Sequence, residues 1–145
     1  EKQGVLKKSH QGRLTLYHLN IENPLIIDYV LMAEKSKLVR KCEKWLVLGE
    51  LVSFMQRNLS ENSNALVFGS AVDSFAAAND IDILIAGKDD FKSLISFAEK
   101  LGKEAHIIKV KSLSGVSKAL KLEIIKKHLL VKGSEDFVRW MLWQQ

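Results

Sequence analysis

Leu66-Val67-Phe68-Gly69-Ser70, then nine residues, then Asp80-Ile81-Asp82-Ile83-Leu84-Ile85 is the stretch on which the reading of this chain turns. A short apolar strand over 65–68 ends in Gly-Ser, where glycine lets the backbone approach a ligand closely and the following amides can face phosphate oxygens. The Ser70 hydroxyl adds a further donor. Asp80 and Asp82 stand two apart in a second predicted strand, 81–86 with its approach, so their side chains project from one face while Ile81 and Ile83 enter the other layer. Two carboxylates a few ångströms apart repel by roughly 3–4 kcal/mol at an effective dielectric near 20. A divalent cation offsets that repulsion. Oxygen-only ligands favour Mg²⁺ or Mn²⁺ over Zn²⁺, and Mg²⁺ is commonly held by one or two carboxylates plus substrate phosphates. The pattern predicts a nucleotide triphosphate beside the Gly-Ser turn and a cation at Asp80 and Asp82, where charge develops during in-line transfer.

Outward from this stretch, strands alternate with helices. Further strands are predicted over 105–110 and 128–132; between 81–86 and 105–110 lies an amphipathic helix, marked by Phe91, Leu94, Ile95, Ala98 and Leu101 and opened by Asp89-Asp90, whose charges suit a helix N-terminus. Residues 120–127 read as a helix, and Ser134 as the cap of a last one carrying Phe137, Val138, Met141 and Leu142. Alternation of this kind gives an α/β domain over 62–145. Upstream, Asn23-Pro24 opens a helical pattern that continues to about Asn58 through Leu38, Cys42, Trp45, Leu48, Val52 and Met55. That is long for one globular helix, so a break is expected near 33–37 or at Gly49. The segment 24–61 reads as a helical connector. Two extended runs, 5–8 and 13–19, flank the turn-rich Ser9-His10-Gln11-Gly12, so 1–23 reads as a β-hairpin, with Leu14, Leu16 and His18 on one face. A hairpin alone is marginal in water and needs a partner.

Composition bounds the function. The 145 residues, 47% of them hydrophobic and 27% charged, suffice for one core and exclude wholesale disorder. A lone cysteine, Cys42, cannot close an intrachain disulfide and points to a reducing, cytoplasmic setting, and no apolar run is long enough to span a membrane. The net charge of +5 is unevenly spread. Residues 100–133 carry nine Lys against Glu104 and Glu123, while 73–90 carry Asp73, Asp80, Asp82, Asp89 and Asp90 against Lys88. An acidic cluster inside a basic chain suggests a cation site within a surface that attracts nucleotides or nucleic acid, although many of these lysines serve equally as solvated helix faces. Other chemistries have little support. Ser70 lacks the Gly-x-Ser-x-Gly elbow. His10, His18, His106 and His128 lack zinc-ligand spacing. Cys42, Trp140 and Trp143 read as packing residues.

The Gly-Ser, spacer, Asp-x-Asp order resembles the DNA polymerase beta-like nucleotidyltransferase superfamily, most closely its small prokaryotic nucleotidyltransferase-domain proteins. The likeness covers 62–145 and extends to His106-Ile107-Ile108 and the ending Leu130 to Phe137. It implies a nucleotidyltransferase-like mixed sheet with flanking helices, with Gly69 and Ser70 on nucleotide phosphates. It also implies that Asp80 and Asp82 bind the catalytic Mg²⁺ (or Mn²⁺) ions that deliver a nucleoside monophosphate to an acceptor hydroxyl. The chain departs from the family's pattern at Ala71-Val72-Asp73-Ser74, where an Arg-Gly stretch is usual, and in a shorter spacer. In active members a third carboxylate lies on the next strand; here 104–110 offers no obvious one, with Glu104 at the edge and Lys109 near the end.

Gln3-Gly4-Val5-Leu6-Lys7-Lys8-Ser9-His10-Gln11-Gly12-Arg13, followed by Leu16 to Asn20, resembles the wing of a winged helix-turn-helix domain, which implies DNA contact through Lys7, Lys8 and Arg13. The plain counterpart is a basic hairpin packed on the long helix. Two functions follow: a metal-dependent nucleotidyltransferase linked to DNA binding, or a non-catalytic DNA-binding regulator or nucleotide sensor that retains the fold. A homodimer through the long helix is compatible with either.

Overall fold

The computed structural model describes residues 4–143, so Gln3 of the wing-like stretch lies outside the described residues. A hairpin of β1 (Leu6–Gln11) and β2 (Leu14–Leu19) comes first, followed by α1 (Ile26–Lys44) and α2 (Leu46–Asn58). The main sheet contains β3 (Asn64–Phe68), β4 (Asp80–Ala86), β5 (Glu104–Val110) and β6 (His128–Lys132). Helices α3 (Lys92–Lys100), α4 (Lys118–Lys126) and α5 (Glu135–Leu142) alternate with these strands. The sheet order is β5-β4-β3-β6, with β4 and β5 parallel and the other two pairings antiparallel. The mixed sheet with flanking helices and a leading hairpin is the architecture expected from the sequence.

Each strand's alternation chooses its layer. Ile81, Ile83 and Ile85 of β4 join Ala65 and Val67 of β3 in a core closed by Leu48, Leu51, Val52 and Met55 of α2 and Leu94 of α3. Leu84 and Ala86 face the other way, with Leu66 and Phe68, against Ile124 of α4 and Phe137 and Trp140 of α5. Helix α2 is thus one wall of the main core.

The helical stretch breaks at Trp45, neither near 33–37 nor at Gly49. Trp45 adopts an extended conformation (φ −127°, ψ 102°) and turns its ring toward Phe75, centroids 6.2 Å apart. Gly49 lies inside α2, where an added Cβ would sit 3.7 Å from the Cys42 carbonyl oxygen, an ordinary van der Waals distance. The start also shifts, with Asn23 Oδ1 accepting from the Leu25 amide and α1 beginning at Ile26. Asp89 does not cap α3: its carboxylate accepts from the Ser60 amide and from the Ser60 and Ser63 hydroxyls, tying down the loop before β3. Asp90 accepts from the Lys92 amide instead. Trp140 is buried as expected, whereas Trp143 is 39% exposed.

The hairpin has a two-residue turn at Gly12-Arg13, not the predicted 9–12 tetrapeptide, because Gln11 pairs with Leu14 and Gly12 supplies φ +62°. Both strands are exposed throughout, with Leu14 65% and Tyr17 54% accessible. The hairpin is tethered at its base, where the Asn20 and Asn23 side-chain amides donate to the Gly4 carbonyl at 2.8 and 3.0 Å.

Helix α1 is fastened to the sheet by a buried polar contact. His128 at the start of β6 places Nε2 2.9 Å from Glu34 Oε2 and Nδ1 2.7 Å from the Ile124 carbonyl oxygen, so each ring nitrogen faces an oxygen. Burial pushes the Glu34 carboxyl up, but the hydrogen bond and charge of His128, assisted by Lys37, outweigh it and hold the group below its ordinary value. Removing one partner of such a pair strands the other: Glu34→Ala is expected to cost about 3–5 kcal/mol, read from chemical denaturation midpoints. Because the folded-state value is depressed, Glu34's contribution is present above the unfolded carboxyl pKa of about 4.3 and lost as pH falls through the folded one. Glu34→Gln is therefore expected to flatten the acid side of the stability profile below about pH 5.

Candidate metal and nucleotide site

The site lies at one end of the main sheet, where β3 finishes and β4, β5 and β6 begin. The β3–β4 register sets Phe68 opposite Asp82, so the chain leaves β3 directly beside that carboxylate. Gly69 turns there with φ +74° and opens a 3-10 turn, Gly69–Val72. Its φ favours glycine, and a Cβ there would lie 3.0 Å from Asp82 Oδ2, so the carboxylate end would have to give by a few tenths of an ångström. Ala71, Val72 and Phe75 anchor the turn in the core, leaving Ser70 exposed. The spacer before β4 is held by Lys103, whose ammonium donates to the Phe75 carbonyl at 2.9 Å and also to Ala76 and Ala78.

Asp80 and Asp82 project from the same face of β4, opposite Ile81 and Ile83. At about 7 Å along a strand their repulsion is about 2 kcal/mol at a dielectric near 20, smaller than closer carboxylates would suffer. Asp80 is exposed and the Asp82 side chain is 43% exposed, so solvent screens the pair further.

The parallel partner β5 changes the inventory. Its register sets Glu104 opposite Asp80 and His106 opposite Asp82, so both side chains join the acidic face. The edge position of Glu104 in the sequence is the position that brings its carboxylate to Asp80. Lys109, paired with Ile85, faces the other layer, its ammonium 5.8 Å from the Phe91 ring centroid. The His106 ring stands between two carboxylates, with Nδ1 3.6 Å from Asp82 Oδ1 and Nε2 3.4 Å from Glu104 Oε1. Asp80, Glu104 and His106 each offer a donor atom within 4.8 Å of the others. Two carboxylates and one imidazole with Asp82 alongside, open to solvent and flanked by a glycine turn, suit a divalent cation that retains positions for another ligand. Beside them a cleft of about 430 Å³ is lined by Asn79, Asp80, Glu99, Gly102, Lys103 and Glu104.

Lys127, just before β6, lies at the same end, with Nζ 2.6 Å from Asp73 Oδ2. The hydrogen bond and charge of Lys127, with Lys41 beyond, hold the Asp73 carboxyl below its ordinary value. Asp73 is thereby matched by lysines and does not add to the acidic face. The hairpin residues are elsewhere. Lys7 pairs across the strands with His18 and Lys8 with Tyr17, which puts the two lysines on opposite faces, and Lys7 is ion-paired with Glu22. Glu104, His106 and Lys127 are the site residues that sequence reading left out. A charged residue at alternate positions of β5 is a visible signal, but it acquires meaning only once β5 is known to lie parallel to β4 in this register.

No protein-family model matches the chain, and no curated protein matches it. Among solved structures, a crystal structure of a toxin-antitoxin with AMP-PNP superposes with a TM-score of 0.50 and 16% identity, over 66% of this chain and 81% of that one. The toxin-antitoxin MntA-HepT gives 0.47 and 15%, over 68% and 80%. The fold is nucleotidyltransferase-like. At this identity the first likeness speaks for architecture, and the chemistry rests on the residues above.

The Gly69–Asp82 contact is testable against Gly102, which also has positive φ (+76°) but open space around its Cβ position. Gly102→Ala isolates the backbone cost of roughly 1 kcal/mol. Gly69→Ala carries the same backbone cost and must also displace the Asp82 carboxylate, so it is expected to melt lower than Gly102→Ala in a thermal scan.

Proposed function

We propose that this protein is a metal-dependent nucleotidyltransferase that moves a nucleoside monophosphate from an NTP to an acceptor hydroxyl. The observation that carries the reading is the abutment of the Gly69 backbone on the Asp82 carboxylate, with Asp80 on the same strand face and Ser70 open to solvent. Gly69 and Ser70 hold the β- and γ-phosphates through main-chain amides and the hydroxyl. Asp80 and Asp82, with Glu104 opposite Asp80, hold Mg²⁺ or Mn²⁺. The bound cation would neutralise charge on the phosphates and on the leaving pyrophosphate. The protein's own contribution is position: the rigid end of β4 sets the carboxylates, and the turn sets the phosphate chain in line with an acceptor approaching from the open rim. The acceptor oxygen forms a bond to the α-phosphorus, the bond from that phosphorus to the bridging oxygen breaks, and pyrophosphate leaves while the hydroxyl proton passes to solvent. Recruitment of an NTP agrees with a neighbour of this fold crystallised with AMP-PNP.

DNA contact through the hairpin is a second reading. The support is that β1 and β2 stand away from the core with Lys7, Lys8 and Arg13 along them and at their tip. Such contact would touch backbone phosphates, since the basic side chains fall on different faces and form no base-reading surface. The domain limits 1–23, 24–61 and 62–145 belong to the same proposal, as does pairing of two copies over the outer side of α1, where Met32 and Val39 are exposed.

Incubation with Mg²⁺ or Mn²⁺ and each labelled NTP is expected to label an acceptor, with the signal lost in an Asp80→Asn/Asp82→Asn variant. Nucleotide binding without transfer would instead indicate a sensor. For the hairpin, binding to duplex DNA is expected to weaken with salt at a log-log slope of about −0.9 per phosphate contacted. A Lys7→Ala/Lys8→Ala/Arg13→Ala variant should lower that slope; an unchanged slope removes the hairpin from the interface.

A further inference from the structure

We infer that His106 is a nitrogen ligand of the cation site and that the site selects Mn²⁺ over Mg²⁺; this rests on the nucleotidyl-transfer reading of Asp80 and Asp82. An imidazole on the metal-binding face alters what that face prefers. Mg²⁺ strongly favours oxygen donors and holds its waters, whereas Mn²⁺ accepts imidazole beside carboxylates and stands in the series whose members gain from nitrogen donors.

Three observations argue for His106 as a donor. The β4–β5 register puts its Cα directly opposite Asp82, so the ring shares the face of both aspartates by construction of the sheet. The donor atoms of Asp80, Glu104 and His106 all lie within 4.8 Å of one another. Around an octahedral ion with bonds of about 2.2 Å, neighbouring donors lie about 3 Å apart and opposed ones about 4.4 Å, so small rotations of exposed side chains close the set. Finally, the ring lies between two carboxylates. Nδ1 lies 3.6 Å from Asp82 Oδ1 while Nε2 lies 3.4 Å from Glu104 Oε1, on the side of the cluster. A carboxylate behind one ring nitrogen and a metal before the other is a recurrent way to fix an imidazole ligand. In this arrangement His106 would join Asp80 and Glu104 as a ligand, with Asp82 beside the ring and on the same face.

The test is pulsed electron paramagnetic resonance on the tag-free full chain, stripped with chelator and loaded with Mn²⁺, alone and with AMP-PNP. Nitrogen-14 modulation from a directly bound imidazole is expected in the wild type and is expected to vanish in His106→Ala. His106→Asp replaces nitrogen with oxygen; it is expected to keep Mn²⁺ bound without the nitrogen signal and to narrow the Mn²⁺-over-Mg²⁺ preference, measured by competition, by about tenfold. Saturable Mn²⁺ binding with no nitrogen signal, or a signal unchanged in His106→Ala, overturns the assignment of His106 and leaves the transfer reading standing. No saturable Mn²⁺ binding with or without AMP-PNP overturns both.

Discussion

Burial of one face of β4 is the constraint on which the rest depends. Ile81, Ile83 and Ile85 are each fully buried between β3, α2 and α3. Each such side chain contributes about 1.5–3 kcal/mol, and a slip of one residue would turn all three to the other side and drive Asp80 and Asp82 into the apolar layer. Against several kcal/mol from this burial, the mutual repulsion of two solvent-screened aspartates, about 2 kcal/mol at most, is the smaller quantity. Apolar burial is therefore enough to hold the acidic pair in place.

The same strand organises its surroundings. Its first residues lie where β3 ends, which brings the Gly69 turn against Asp82, and where β5 begins, which brings Glu104 and His106 alongside. Lys103 holds the loop that leads into it, and Asp73, the nearest acidic residue of the turn, is matched by Lys127 and kept out of the cluster. On the far side of β3, His128 and Glu34 attach α1 to the sheet, so the long helix is bound by a directional contact as well as by Ile26, Val30 and Leu38. The hairpin shares little of this. It is held at its base by two asparagines and otherwise stands in solvent.

Much of this was legible in the sequence for physical reasons. Period-two alternation in 80–86 announces a strand with acids on one side and isoleucines on the other, and a Gly-Ser step after an apolar run announces a tight turn. Where the reading missed, a tertiary contact decided. Trp45 breaks the helix because its ring has Phe75 to pack against; nothing local to 33–49 distinguishes Trp45 from Gly49 as the breaking point. Asp89, read as a charge at the start of a helix, is instead bonded to Ser60 and Ser63, residues nearly thirty positions upstream. Glu104 appeared marginal because an edge position in the chain carries no information about which residue stands across from it.

The amino-acid order by itself determined the elements, their alternation and the chemical character of each strand face, since these follow from side-chain periodicity and backbone stereochemistry within a few residues. Only the folded chain decided which acids and imidazoles meet. A parallel pairing has no turn to set its register; that of β4 and β5 comes from how α3 and the two apolar layers pack, and it is this packing that places Glu104 and His106 beside Asp80 and Asp82.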